Sequence, residues 1–182
     1  MTDELSTYIY NRMIEESQNY QWRIVSDSHK GAIELYLAVK LEVEPKEYVQ
    51  DIIGQVNKEG IIYFEELVCF YDQMNNKIIK ENYLHAIPVD PIQGVEAGYV
   101  DAFLKQLNIT ISTAKSQLRL FLEDEDQKEF ELIWNEENME NTVETMKKTG
   151  NYSRKQLIFS KEKEESLVEQ LKGETYDGLE RI

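Results

Sequence analysis

The stretch Ile33-Glu34-Leu35-Tyr36-Leu37-Ala38-Val39-Lys40-Leu41-Glu42-Val43 decides the fold. Every odd position is a branched aliphatic residue, and the even positions carry Glu, Tyr, Ala, Lys and Glu. Successive side chains of a strand point to opposite faces, so this pattern predicts a strand with one apolar face and one wet face. One-sided alternation belongs to antiparallel sheets, whereas strands of fully covered parallel sheets read as continuous apolar runs. Just upstream, Tyr20 to Val25 is rich in aromatic and β-branched residues, and Asp27-Ser28-His29-Lys30-Gly31 supplies turn chemistry, which together predict a hairpin. Downstream, Ile61 to Tyr71 reads as a long strand apolar on both sides. After Asp72 to Asn76 a second run, Lys77 to Ile87, predicts another hairpin. Pro88 and Pro91 end that sheet region, because neither can donate to a ladder and each restrains the residue before it. Between the strands, Pro45 to Glu59 reads as a short crossing helix bearing Tyr48, Val49, Ile52 and Ile53, stopped near Gly54 or Gly60.

Helical periods flank this sheet. Leu5, Tyr8, Ile9, Met13 and Ile14 predict an opening amphipathic helix over 4–17, with Thr2 or Asp3 placed to cap it. Val95, Tyr99, Ala102 and Phe103 share one helical face. Ile111, Ala114, Leu118, Phe121 and Leu122 repeat the pattern, so two packed helices are expected with a break near Asn108. Phe130, Leu132 and Trp134 alternate with Glu129, Glu131 and Ile133 as a short strand. Asn135 then caps a helix facing inward through Met139, Val143 and Met146 and ending at Gly150. A run at Leu157 to Phe159 precedes a last helix capped by Ser160, with Leu167, Val168 and Leu171 inside. The expectation is α+β: a single domain over 1–172, a mainly antiparallel sheet of about five strands with helices on one face, and a loose tail over 173–182.

Composition narrows the function classes. The chain has 182 residues, with 35 acidic against 20 basic side chains and a net charge of -15, a field that repels phosphate backbones and anionic lipid. Direct nucleic-acid binding is therefore not expected, and a basic protein partner is the natural complement. Cys69 is the only cysteine, so neither an internal disulfide nor a cysteine metal cluster can form. Met1 to Tyr10 lacks the positive and apolar regions of a secretion signal, and no stretch offers the ~20 apolar residues that cross a bilayer. The expected location is the cytoplasm.

The search for chemistry returns no catalytic, cofactor or metal site. The eight glycines form no phosphate-cradling loop, and Gly94-x-x-x-Gly98 sits beside Glu96 and Asp101, so it reads as a helix start or close packing. His29 lies in a turn and His85 in a strand, without ligand spacing. Cys69, between Val68 and Phe70, packs as a small thiol with no base beside it. Glu65 and Glu66 point to opposite faces of their strand and cannot flank one bond. Asp124, Asp126 and Lys128 fail as a calcium loop, since Lys128 stands where an oxygen ligand is needed and Glu129 where glycine is needed. The compositional anomaly is Glu123 to Glu144, where ten acidic residues face only Lys128, a local balance of -9. Within it Glu123, Asp124, Glu125 and Asp126 form the candidate partner surface; the bland alternative is a solvated loop and helix face.

Three segments carry a resemblance: Phe64-Glu65-Glu66 with Phe70-Tyr71, Tyr83 through Gly94, and Phe121 through Asn135. In order and spacing they resemble a family of small uncharacterised proteins of low-GC Gram-positive bacteria, the domain of unknown function DUF3013. The likeness includes Pro91-Ile92-Gln93-Gly94 as a turn into a helix, and Phe121-Leu122, the acidic loop and Trp134-Asn135. With Tyr20 to Val43 it covers most of the chain up to about Met146. These aromatic, proline and glycine positions specify a fold, and the resemblance implies no activity, ligand or catalytic residue. The first functional reading is a non-enzymatic cytosolic protein-binding or adaptor domain with an acidic surface. The alternatives are an enzyme or small-molecule binder whose site is assembled from distant residues, and an inhibitor that imitates nucleic acid.

Overall fold

A computed structural model describes residues 3–17, 19–27, 29–51, 53–75 and 77–159. The deciding stretch lies in β3 (Ala32–Glu42), which pairs antiparallel with β2 (Gln21–Asp27) on one side and β4 (Ile61–Asp72) on the other. The β2–β3 turn forms as expected: the Asp27 carboxylate accepts the backbone N–H groups of His29 and Lys30, and Gly31 takes a φ of 59°. Register places Trp22, Ile24, Leu35, Leu37, Val68 and Phe70 on one inner face. Against it pack α1 (Leu5–Glu16), through Leu5, Ile9 and Met13, and α2 (Ala97–Glu123), through Phe103 and Leu107. Phe70 and Phe103 meet edge to face at 5.3 Å, joining sheet to helix. The first helix is capped otherwise than expected. Its N-cap is Glu4, whose side chain makes no backbone capping bond and accepts the Ser6 hydroxyl instead.

The second expected hairpin is corrected. β5 (His85–Val89) pairs with β4 in parallel, Val68 opposite His85 and Phe70 opposite Ile87, giving a four-stranded sheet of order β2-β3-β4-β5. A parallel partner cannot follow a tight turn, so the chain crosses back over the outer face through residues 77–84, including a 3-10 turn at Lys80–Asn82. The cause is visible in the side chains. Lys80-Glu81-Asn82 interrupts the apolar run, while Ile78 and Tyr83 gain burial against Ala32, Cys69 and Tyr71. This crossover also covers one end of the face expected to be wet. Glu34 is only 5% exposed there, its carboxylate accepting the hydroxyls of Tyr83 (2.8 Å) and Tyr36 (3.0 Å). Pro88 lies within β5, tolerated because the strand is at the sheet edge.

Three further expectations change. Among the described residues, Pro45 to Glu59 forms no helix. Asp51 accepts the N–H groups of Ile53 and Gln55, and Asn57 accepts that of Val49, so side chains satisfy the backbone in place of helical carbonyls. The expected helix pair is one 27-residue helix, α2, running through Asn108 without a break. The Asn108 side chain accepts the hydroxyls of Ser17 and Tyr20, a tertiary anchor that outweighs a modest propensity penalty. Phe130 to Trp134 joins no ladder. Its alternation survives as burial: Leu132 is 4% exposed while Ile133 between its neighbours is 76% exposed.

The helix α3 (Glu136–Lys148) starts where Asn135 accepts the Asn138 N–H and ends at Gly150, φ 76°. A second, three-stranded sheet of order β1-β7-β6 closes the domain, from β1 (Asp3–Glu4), β6 (Val95–Glu96) and β7 (Gln156–Ile158). The close-packing reading of Gly94 and Gly98 holds here. A Cβ on Gly94 would lie 2.1 Å from the Leu157 carbonyl oxygen, and one on Gly98 2.7 Å from the Ser153 nitrogen. The helix expected from Ser160 and the tail from residue 173 lie outside the described residues.

Candidate functional site

The four carboxylates of the candidate partner surface sit where α2 stops. Glu123 is its last residue, Asp124 its C-cap, and Glu125 and Asp126 follow in the turn. All ten acidic residues between Glu123 and Glu144 are exposed. The end of a helix is the negative pole of its dipole, where cations are favoured, yet the last turn of α2 holds no basic side chain. Lys128, the one cation of the run, donates from its ammonium to the Glu125 carbonyl oxygen at 3.3 Å. The Asp124 carboxylate accepts the Asp126 N–H at 3.0 Å, the geometry of a side-chain-closed turn rather than a calcium loop. Among the described residues no cluster of His, Cys, Asp and Glu could hold a metal ion.

Next to these charges the surface turns apolar. Leu120, Phe121 and Phe130 line an open groove of about 280 Å³ between α2 and the loop after it, together with Gln117, Gln127, Glu129 and Glu131. Its floor is fixed by packing. Phe130 meets Phe64 edge to face at 5.0 Å and Phe121 at 5.7 Å, over a cluster that includes Leu41, Ile62 and Leu118. Leu120 has no such role and is 65% exposed. Val49 packs into the same cluster, so the 43–60 loop, with exposed Tyr48, Ile53 and Val56, belongs to this end of the molecule. The sequence reading found the charges but missed the groove. The clue was Leu120 just before the acidic run and Phe130 within it.

A second constellation joins residues far apart in sequence. His85, on the inner side of edge strand β5, stacks on Trp134 at 4.7 Å with the rings 16° apart, and Phe103 lies on a parallel plane at 5.9 Å. Trp134 donates from Nε1 to Glu136 Oε2 at 2.9 Å, and His85 Nε2 stands 3.9 Å from the same oxygen, beyond hydrogen-bond reach. Burial lowers the His85 pKa, opposed by the Glu136 charge. Burial raises that of Tyr99, and Glu136 adds to the rise. The three rings of His85, Trp134 and Phe103, with Trp134 and Phe103 5.2 Å apart, form one cluster that joins the start of α3 to the sheet.

The other candidates resolve as packing. Burial, aided by Glu34, pushes the Cys69 thiol up to about 12, and the side chain is fully buried, which favours the neutral thiol. Glu65 lies opposite Ala38 and Glu66 opposite Leu37, on different faces as their adjacency requires. On α1, Arg12 and Tyr8 both donate to Asp101 at 2.9 Å, tying α1 to α2. No helix among the described residues is long and apolar enough to cross a membrane.

Comparison with known proteins finds the same fold and the same silence about activity. A crystal structure of a conserved protein of unknown function from Enterococcus faecalis superposes with a TM-score of 0.72 at 23% identity, over 82% of this chain and 91% of that one. No curated protein matches. The family model described as "Protein of unknown function (DUF3013)" matches residues 1–161, which takes in every described element from β1 to β7. The chain belongs to the DUF3013 family.

Proposed function

We propose that this chain is a non-enzymatic cytosolic protein-binding or adaptor domain that presents the acidic end of α2 to a basic partner. The observation that carries the reading is the placement of Glu123, Asp124, Glu125 and Asp126 on the negative pole of a long helix, without a basic residue in its last turn. Each such charge opposes the helix dipole by ~0.3–1 kcal/mol at low ionic strength, so the arrangement works against the fold it sits on. Local choices that oppose the fold concentrate at functional sites. A field of this sign speeds encounter with a cationic surface and repels nucleic acid. The test is an affinity pull-down from native cytosol at low and high salt, with the wild-type chain and the E123Q/D124N/E125Q/D126N variant. A stoichiometric partner lost with salt and in the variant supports the reading. A partner whose retention ignores the four charges, or none at all, removes it.

A further inference from the structure

Resting on that proposed reading, we infer that the groove lined by Leu120, Phe121 and Phe130 is the docking site for a basic amphipathic segment of the partner, an apolar side chain flanked by Lys or Arg. Packing accounts for Phe121 and Phe130, whose contact pins the loop to α2 while Phe64 holds Phe130 to β4. It does not account for Leu120, which lies 65% exposed on the groove wall. One exposed leucine is ordinary on any surface; an exposed leucine continuous with two half-buried rings is a patch.

The rim decides the occupant. Glu129 and Glu131 line the groove itself, and Glu123 to Asp126 follow directly from Phe121 and Leu122. Charge complementarity therefore calls for cations around an apolar anchor, the surface of an amphipathic basic helix laid into a groove. The volume agrees. At about 280 Å³ the groove is open to solvent on one side, room enough for one or two side chains. A second copy of this chain is a poor occupant, because a net charge of -15 repels itself.

The experiment titrates the whole protein into two fluorescein-labelled peptides and follows anisotropy at low salt. One peptide is an amphipathic helix of Leu and Lys; the other has Ser in place of Leu at equal length and charge. The proposal expects the Leu/Lys peptide to bind at least about fivefold more tightly. L120Q and E129Q/E131Q should each weaken it by about fivefold, the factor for partial burial of one leucine or loss of a rim charge pair. Leu120 is exposed and glutamine is a comparable helix former, so an unchanged melting temperature verifies the fold of L120Q. Amide NMR shifts on the Leu/Lys peptide should centre on residues 117–131, and shifts centred elsewhere overturn the site. If both peptides bind alike, L120Q changes nothing and only E123Q/D124N/E125Q/D126N abolishes binding, the groove is overturned while the acidic-surface reading stands. If L120Q weakens binding but E129Q/E131Q does not, the basic character of the partner is overturned. If neither peptide binds, both readings fall.

Discussion

The two ends of α2 are built on opposite principles. At its start the first two N–H groups are met by close backbone approach: Ala97 and Gly98 donate to the carbonyls of Lys155 and Ser153, each at 2.8 Å. No side-chain cap is used, and Gly94 and Gly98 leave the room that such an approach needs. At its far end the helix stops in four carboxylates that its dipole disfavours, beside a leucine left in water. The next helix shows that the chain can follow the rules. α3 has Asn135 as its cap, Glu136 and Glu137 in its first turn and Lys147 and Lys148 in its last, with Lys148 paired to Glu144 at 3.1 Å. The lesson is that the acidic end of α2 is a local departure rather than a general habit of an acidic chain.

The comparison can be broken most severely at the tight end. Gly94→Ala drives a Cβ into the Leu157 carbonyl at a positive φ, so we expect a loss of about 3 kcal/mol or more, read from urea unfolding midpoints. A loss below about 1 kcal/mol would show that β7 can move aside. Asn135→Ala removes the one side-chain cap found on these helices and should cost about 1 kcal/mol. At the open end the sign reverses. E123Q/D124N should stabilise the protein by about 0.5–1 kcal/mol at low salt, an advantage that fades as salt screens the wild-type charges. A destabilised variant would mean that those carboxylates hold the fold, and the contrast between the ends would collapse.

The smallest effect concerns the start of α3. Because burial holds the His85 pKa below its unfolded value of about 6.5, the folded state binds fewer protons than the unfolded chain. Its contribution is present above that pH and is lost as pH falls toward the folded pKa. Glu136 opposes the shift and keeps the effect modest. The difference in melting temperature between wild type and H85Q, measured from pH 7.5 to 5.5, should therefore shrink with acidity. A constant difference would place the imidazole outside any titrating environment.

What could be read beforehand follows from how far each signal reaches. The period of β3, the Asp27–Gly31 turn and the Asn135 cap are short-range, and each formed where its residues predicted. The misreadings lie where distant contacts override a local pattern. Tyr83 reaching Glu34 turned a hairpin arm into a crossover, and Tyr20 with Ser17 held Asn108 inside a helix. Phe130 to Trp134 has a strand's alternation because it lies along a core, which a ladder is not needed to produce. For the site, Glu123 to Asp126 stood out as charge, whereas the groove needed Phe64, Phe121 and Phe130 to meet, and the His85 stack needed β5, α2 and the loop before α3.

The position of β7 has a consequence for how the domain is made. It is the middle strand of the small sheet, parallel to β1 through Asp3 with Leu157 and antiparallel to β6 through Val95 with the same residue. During synthesis, then, β1 and β6 wait more than half the chain's length and some sixty residues, respectively, for the strand that joins them. Pairings of such sequence separation form late, after loop closure has been met. Until Leu157 is available, β1 and β6 are strand edges without the partner that lies between them, the kind of open edge that pairs wrongly with another chain.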